Sequence, residues 1–224
     1  MEQALETETF LGDAPKTGWN DDYSAQEFWN VCHNNKSLIM LSGNTGEQII
    51  ANLRIQHLIK PNINLLNIGV GMGLCTEYYA KQQCNVSVMD ISDVALQKVK
   101  RISVAGYLAS NLSELPKNKF DLAISHLVAQ HTENADLKTN LEAVIASLNN
   151  DGVYAIQITY PILKSAIRTD WTKKEAKAGS ITRTCSEFSK MVEDAGGIIE
   201  NIFTIALHPE YNFGWYGCHI RKMA

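Results

Sequence analysis

No apolar run in this 224-residue chain approaches the roughly 20 residues a membrane-spanning helix requires. The opening stretch MEQALETETF has neither the basic start nor the apolar core of a secretory leader. Cysteine is sparse and unpatterned: Cys32, Cys75, Cys84, Cys185 and Cys218 are odd in number and never in C-x-x-C spacing. That excludes the sequence signature of a disulfide framework or a zinc site. No long block of lysine or arginine interrupts the charge balance, and a net charge of −4 argues against a phosphate backbone as partner. Internal repeats and low-complexity linkers are also missing. The expectation is a soluble, unprocessed protein of the reducing cytoplasm, with no metal, no membrane and no nucleic-acid partner. A small-molecule or glycan acceptor is the partner left standing. With 45% hydrophobic and 20% charged residues there is apolar material for one full core.

What is present centres on INLLNIGVGMGLCT, residues 63 to 76. An apolar run ending at Ile68 and bounded by glycine is the pattern of a strand buried on both faces of a parallel sheet. Gly69, Gly71 and Gly73 then make a turn. Gly69 can take backbone angles denied to other residues, Gly71 lets the main chain approach a ligand, and Gly73 allows close packing of the next helix. The start of that helix offers free N–H groups. A second strand, NVSVMD, ends in Asp90, where a carboxylate can accept from two ribose hydroxyls. Asp90 could instead open the turn into the following helix, but Ser92 or Asp93 is placed to cap that helix. Asp90 is therefore expected to be available to a ligand, with Asp90→Ala weakening adenosine binding and leaving the fold intact.

A dinucleotide site wants G-x-G-x-x-G, whereas this loop reads G-x-G-x-G with Leu74 in the place of the last glycine. In that form the chain resembles the class I S-adenosylmethionine-dependent methyltransferases over roughly residues 46 to 224. Their first motif ends a strand with G-x-G-x-G and their second strand ends in an acidic residue. The resemblance implies an α/β fold: a Rossmann-like, doubly wound seven-stranded sheet in the order 3-2-1-4-5-7-6, strand 7 antiparallel, with an N-terminal helical lid. Residues 1 to 45 would be tail and lid helix, and 46 to 224 the S-adenosylmethionine-binding domain. The family usually carries Asp or Glu where this chain has Asn67, and often a small residue where it has Val70. Asn67 can still hydrogen-bond the loop or the methionine amino group, without charge.

The remaining site expectations follow chain order. SAQEFWNVCHNN opens with a capping box, Ser24 and Glu27, before a short amphipathic helix. EQIIANLRIQHLIK reads as one helix stopped by Pro61. After the third strand, Asn111 could bond the adenine amino group and the N–H of Leu112 a ring nitrogen; Ile91 and Ser125 complete the cofactor contacts the resemblance implies. Phe120 to Ser125 reads as a fourth strand, whose C-terminal end is where open α/β sheets bind ligands. His126 and His131 there are the candidate bases, since a histidine with a pKa near neutrality can take a proton during methyl transfer; a loop-supporting role for His131 is the alternative. Family members that methylate exocyclic amines of bases carry a Pro-Pro run at this strand end, which SHLV does not resemble. ADLKTNLEAVIASLNNDG reads as a helix closed by Asn-Asn-Asp-Gly before a fifth strand. Trp19, Tyr23, Tyr160, Trp171 and Trp215 are candidate substrate contacts by stacking.

These readings predict methyl transfer from S-adenosylmethionine to an oxygen or nitrogen of a small molecule, with a sugar or surface-glycan precursor as the favoured acceptor class. Two other classes remain open: a non-catalytic cofactor-binding protein, on the strength of Asn67, and a nicotinamide oxidoreductase, which Leu74 and the terminal strand pair disfavour.

Overall fold

The computed structural model describes residues 24–34, 44–162, 181–209 and 212–223. Trp19, Tyr23 and Trp171 lie outside the described residues. Seven strands form one sheet: β1 (Asn64–Ile68), β2 (Asn85–Asp90), β3 (Ala105–Leu108), β4 (Phe120–Ser125), β5 (Leu148–Pro161), β6 (Gly197–His208) and β7 (Phe213–Lys222). Their order is β3-β2-β1-β4-β5-β7-β6. β1 runs parallel to β2 and to β4, β2 to β3, and β4 to β5. β7 is antiparallel to both β5 and β6. Strand order and the antiparallel direction of β7 are those the family resemblance implies.

The period of two along a strand divides the apolar residues between two cores. Leu65, Val86, Val88 and Ile124 pack against α2 (Gly46–Asn52), α3 (Leu74–Lys81) and α4 (Asp93–Val99) through Ile49, Tyr79, Ala95 and Val99. Leu66, Ala123, Ile156 and Ile158 face α5 (Asn134–Ser147) and α6 (Cys185–Asp194) through Leu141, Val144, Phe188 and Val192. Both faces of the central strands are thus covered, as continuous apolar runs demand. Because β1 is flanked by β2 on one side and β4 on the other, the order in which strands are added reverses between β1 and β4. The crevice beyond their C-terminal ends is the topological switch point.

Two helix boundaries differ from the sequence reading. The predicted helix over EQIIANLRIQHLIK stops after Asn52 and resumes only as a 3-10 turn at Gln56–Leu58. Leu53 and Ile55 are both fully buried, and Arg54 between them adopts a left-handed φ of 55°, a break that lets both flanking side chains turn inward. The Asn-Asn-Asp-Gly expected to close α5 as a turn belongs instead to β5, which begins at Leu148. Gly152 there meets the partner strand so closely that a Cβ would sit 2.6 Å from the Phe120 carbonyl oxygen, and the ladder shifts register between Phe120 and Leu122.

Ahead of this domain, α1 (Ala25–Asn34) is capped as predicted, Ser24 Oγ accepting from the Glu27 N–H at 3.3 Å and Glu27 accepting from the Ser24 N–H at 2.7 Å. It docks on the start of α4. Asn30 Nδ2 donates to Asp93 at 2.6 Å, and its Oδ1 accepts from Ser92 Oγ at 2.6 Å. Lys98 Nζ donates to the His33 carbonyl.

Candidate active site

The glycine turn sits at the mouth of the crevice, and its three glycines do different work. All three have positive φ: 74° at Gly69, 54° at Gly71 and 88° at Gly73. A Cβ on Gly69 would lie 2.1 Å from Val128 Cγ2, and one on Gly73 would lie 2.6 Å from Val99 Cγ1, so these two are fixed by packing within the protein. Around Gly71 a Cβ would meet nothing within 4 Å. Its backbone faces open space, as a loop that admits a ligand must. Gly73 caps α3 without any side-chain hydrogen bond, leaving the first-turn N–H groups of that helix to an incoming acceptor.

Asp90 lies beside this loop, 7% exposed. Its carboxylate is already engaged: Oδ2 accepts from the Val70 N–H at 2.8 Å and Oδ1 from the Ser92 N–H at 2.9 Å. Ser92 caps α4 as expected, accepting from the Ala95 N–H at 3.1 Å. Asp90 therefore ties the tip of β2 to the glycine turn as well as facing the crevice. Burial pushes its carboxyl up, while the N–H groups of Ser92, Val70, Gly71 and Ile91 pull it back down. Asn67, at 4% exposure, donates from Nδ2 to Thr76 Oγ1 at 2.9 Å, so it braces β1 against α3. Asn111 is exposed at the start of a 3-10 turn spanning Leu112–Glu114. It donates to Glu114 at 2.7 Å and accepts from Ser113 Oγ at 2.7 Å. The Ser125 hydroxyl is hydrogen-bonded to the Tyr154 phenol on the α5 side, so only its backbone faces the crevice.

Across the crevice, the segment after β4 carries both histidines. Burial pushes His126 down to about 4, well below the neutrality expected of a base. His131 ends a 3-10 turn at Ala129–His131 that is held from several sides. Thr159 Oγ1 on β5 donates to Gln130 Oε1 at 2.9 Å, and Gln130 Nε2 lies 3.1 Å from His131 Nε2. In this orientation the amide nitrogen, which can only donate, faces the imidazole Nε2. From the other side, buried Arg183 donates to the Ala129 carbonyl at 2.7 Å, to the Thr132 carbonyl, and to Asn134 Oδ1 at 2.8 Å. The Trp29 ring of α1 meets His131 edge to face at 5.4 Å. Helix α1 therefore reaches from the Ser92 end of the crevice to the His131 end.

Of the aromatic residues singled out in the sequence, Trp215 pairs with Thr159 across the ladder and shares its face of the sheet. Tyr160 packs on Tyr216 at 4.7 Å, and Tyr216 borders the α5 and α6 core, which sets the pair on the opposite face. Gln130, Thr159, Arg183 and Asn30 were missed by sequence reasoning. Each is an ordinary polar residue whose role comes from a partner between 29 and 63 positions away, and no spacing signals that. No group of three or more His, Cys, Asp or Glu among the described residues could hold a metal. None of the helices there is long and apolar enough to cross a membrane.

An open glycine turn and a buried acidic strand tip, on a sheet ordered 3-2-1-4-5-7-6 with its last strand antiparallel, belong to the Rossmann-like methyltransferase fold. Residues 66–156 match the family model described as a methyltransferase domain. No curated protein matches the chain. Among solved structures it is similar to a 1,6-didemethyltoxoflavin-N1-methyltransferase from Burkholderia thailandensis, with 20% identity, a TM-score of 0.59, and coverage of 80% of this chain and 76% of that one. It is similar to the N-methyltransferase NodS from Bradyrhizobium japonicum at 15% identity and TM-score 0.62, covering 88% of this chain and 97% of that one. The [4+2]-cyclase SpnF also shares the fold, at 13% identity and TM-score 0.60, covering 81% and 85%. These likenesses concern the fold; the reaction has to be argued from the site.

Proposed function

We propose that this protein transfers a methyl group from S-adenosylmethionine to a nitrogen of a small molecule. The observation that carries the reading is the glycine turn, whose backbone at Gly71 is unobstructed and flanked by the Asp90 carboxylate and the uncapped start of α3. Those groups suit an adenosyl amino acid: N–H donors for its carboxylate, and the Asp90 carboxylate as an acceptor the ribose hydroxyls would share with the backbone N–H groups. In this reading Asn111 and Leu112 meet the adenine edge, and α1 serves as the lid.

When bound, S-adenosylmethionine supplies a methyl already activated by its sulfonium, so the chain has to align the acceptor, exclude water and accommodate a proton. In this reading the Trp29–His131 ring pair borders the acceptor. His126, held down to about 4 by burial, is a neutral and weak base at physiological pH. A weak base suits a nitrogen that arrives with its lone pair free. An alkyl hydroxyl, which must lose a proton to become nucleophilic, is poorly served. Two of the similar structures are named as N-methyltransferases, which agrees with this choice, and the glycan acceptor raised by the resemblance has no support among the three reported.

Calorimetric titration with S-adenosylmethionine, S-adenosylhomocysteine and NAD tests the cofactor. Micromolar binding of the first two and none of the third is expected; NAD binding, or no binding at all, would reject the reading. An acceptor screen reading S-adenosylhomocysteine release should favour amines and nitrogen heterocycles over sugars.

A further inference from the structure

Gln157 lies at 2% exposure on β5, and neither end of its amide, Nε2 or Oε1, has a hydrogen-bond partner in the structure. Two unmet polar atoms on one buried side chain are costly, and such atoms call for an explanation in strain, catalysis or something the protein binds. Their location points the same way. Val153 and Ala155 belong to the α2–α4 core, so alternation sets Gln157 and Thr159 on that same face. Thr159 is the residue that holds Gln130 against His131. Ser125 pairs with Ile156, so Gln157 stands just past the paired end of β4, where His126 begins the following segment. Because Ile68 also pairs with Ser125, both stand level with the start of the glycine turn. On the far side Gln157 pairs with Gly217, where Phe203 packs so close that a Cβ would lie 2.4 Å from its ring. That neighbour offers the amide no polar group.

We infer that Gln157 reads the acceptor. A primary amide presents one donor and one acceptor in a plane, and its complement is a lactam or amidine edge: an N–H beside a carbonyl oxygen or ring nitrogen. A carboxylate would leave Oε1 unmet, and an ammonium would leave Nε2 unmet. The acceptor class is therefore a neutral planar nitrogen heterocycle, held by Gln157 at one edge while another ring nitrogen faces the methyl donor. Because the amide is sealed from bulk solvent, an acceptor lacking that edge leaves both atoms unpaired, and this gives discrimination. The assignment rests on the N-methyl transfer reading and adds its substrate class.

The test compares wild type with Gln157→Met, an apolar side chain of similar volume. S-adenosylhomocysteine affinity is measured first; wild type failing to bind it defeats the methyltransferase reading, and this inference with it. In the presence of S-adenosylhomocysteine, uracil and lumazine are titrated against 1,3-dimethyluracil and 1,3-dimethyllumazine, which lack the N–H. Wild type should prefer the unmethylated member of a pair at least tenfold, on the order expected for paired polar recognition, and Gln157→Met should lose the preference while keeping S-adenosylhomocysteine affinity. The variant should also melt about 2–4 °C higher, because two unmet polar atoms leave the interior. A lower melting temperature would mean the amide is satisfied within the fold. That result, a preference that survives the substitution, or no binding by either lactam would overturn the inference.

Discussion

Asp90 carries two tasks, and substituting it separates them. Its carboxylate accepts charge-assisted hydrogen bonds from the Val70 and Ser92 N–H groups at 2.8 Å and 2.9 Å, and the residue is 7% exposed. Each such bond contributes roughly 1.5–3 kcal/mol, and part of that is offset by no longer burying a charge. Asp90→Ala strands both donors and should cost about 2–4 kcal/mol, a fall in melting temperature of roughly 4–16 °C for a chain of this size. Asp90→Asn keeps one acceptor oxygen but turns an NH2 towards the second donor, for about half that cost. The sequence alone suggests that Asp90→Ala leaves the fold intact; the two backbone bonds change that expectation. Thermal melting and calorimetric titration with S-adenosylhomocysteine on both variants measure the two tasks separately. Affinity should fall at least tenfold in Asp90→Asn at a temperature where it is fully folded. If Asp90→Ala melts within about 2 °C of wild type, the ties to Val70 and Ser92 contribute little. If Asp90→Asn keeps full affinity, the carboxylate serves the loop and does not hold the ribose.

Gly71→Ala and Gly69→Ala should behave oppositely: with open space around Gly71 its variant folds with a modest penalty of about 1–2 kcal/mol for the left-handed φ but loses cofactor affinity, whereas a Cβ 2.1 Å from Val128 makes Gly69→Ala fold poorly. Equal melting temperatures would contradict this. Arg183→Met should destabilise by about 2–3 kcal/mol, because the Ala129 and Thr132 carbonyls lose a buried charged donor; a urea midpoint unchanged from wild type would show that the His131 turn stands without it. Stability should also fall in acid. Burial, with the nearby Lys98 charge adding to it at His33, holds His33 and His126 down to about 4 from an ordinary 6.5. Between those values the unfolded chain binds more protons than the folded one, so stability is complete above about pH 6.5 and is lost as pH falls towards 4. The loss is roughly 2–3 kcal/mol for a fully buried histidine, and His33→Gln should flatten the profile of urea midpoint against pH; a profile already flat in wild type would refute the burial argument.

The sheet was legible because its central strands are written in apolar residues. LLNI, VSVM and LAIS have to be buried on both faces, and the glycine turn after Ile68 marks which end of the sheet opens. Boundaries that depend on one residue's backbone angle were not legible. Arg54 ends α2 through a left-handed φ that nothing in its side chain announces, and a helical apolar spacing continues straight through it. Asn-Asn-Asp-Gly carries the local signature of a turn, yet β5 pairs with β4 on either side of it, at Leu148 and again from Val153, and runs through it as an irregularity: tertiary partners override local preference.

The site divides along the same line. Gly69, Gly71, Gly73 and Asp90 belong to one loop and one strand tip close in sequence, so residue type and spacing were enough to find them. The acceptor side is assembled from β4, β5, the turn at Ala129–His131 and Arg183, brought together only by the sheet order. His131 was found by residue type, but its behaviour is set by Gln130, whose orientation is set in turn by Thr159. Within β5, Gln157 reads in sequence as one polar position in VYAIQIT, where alternation would turn it to solvent on a half-exposed strand. Only when β7 closes over that side, with Phe203 stacked at Gly217, does the same residue become a buried amide with nothing to bond. A central strand has no solvent face to spare for a polar side chain, so one placed there beside the ligand-binding edge is either paired by the protein or paired by what the protein binds.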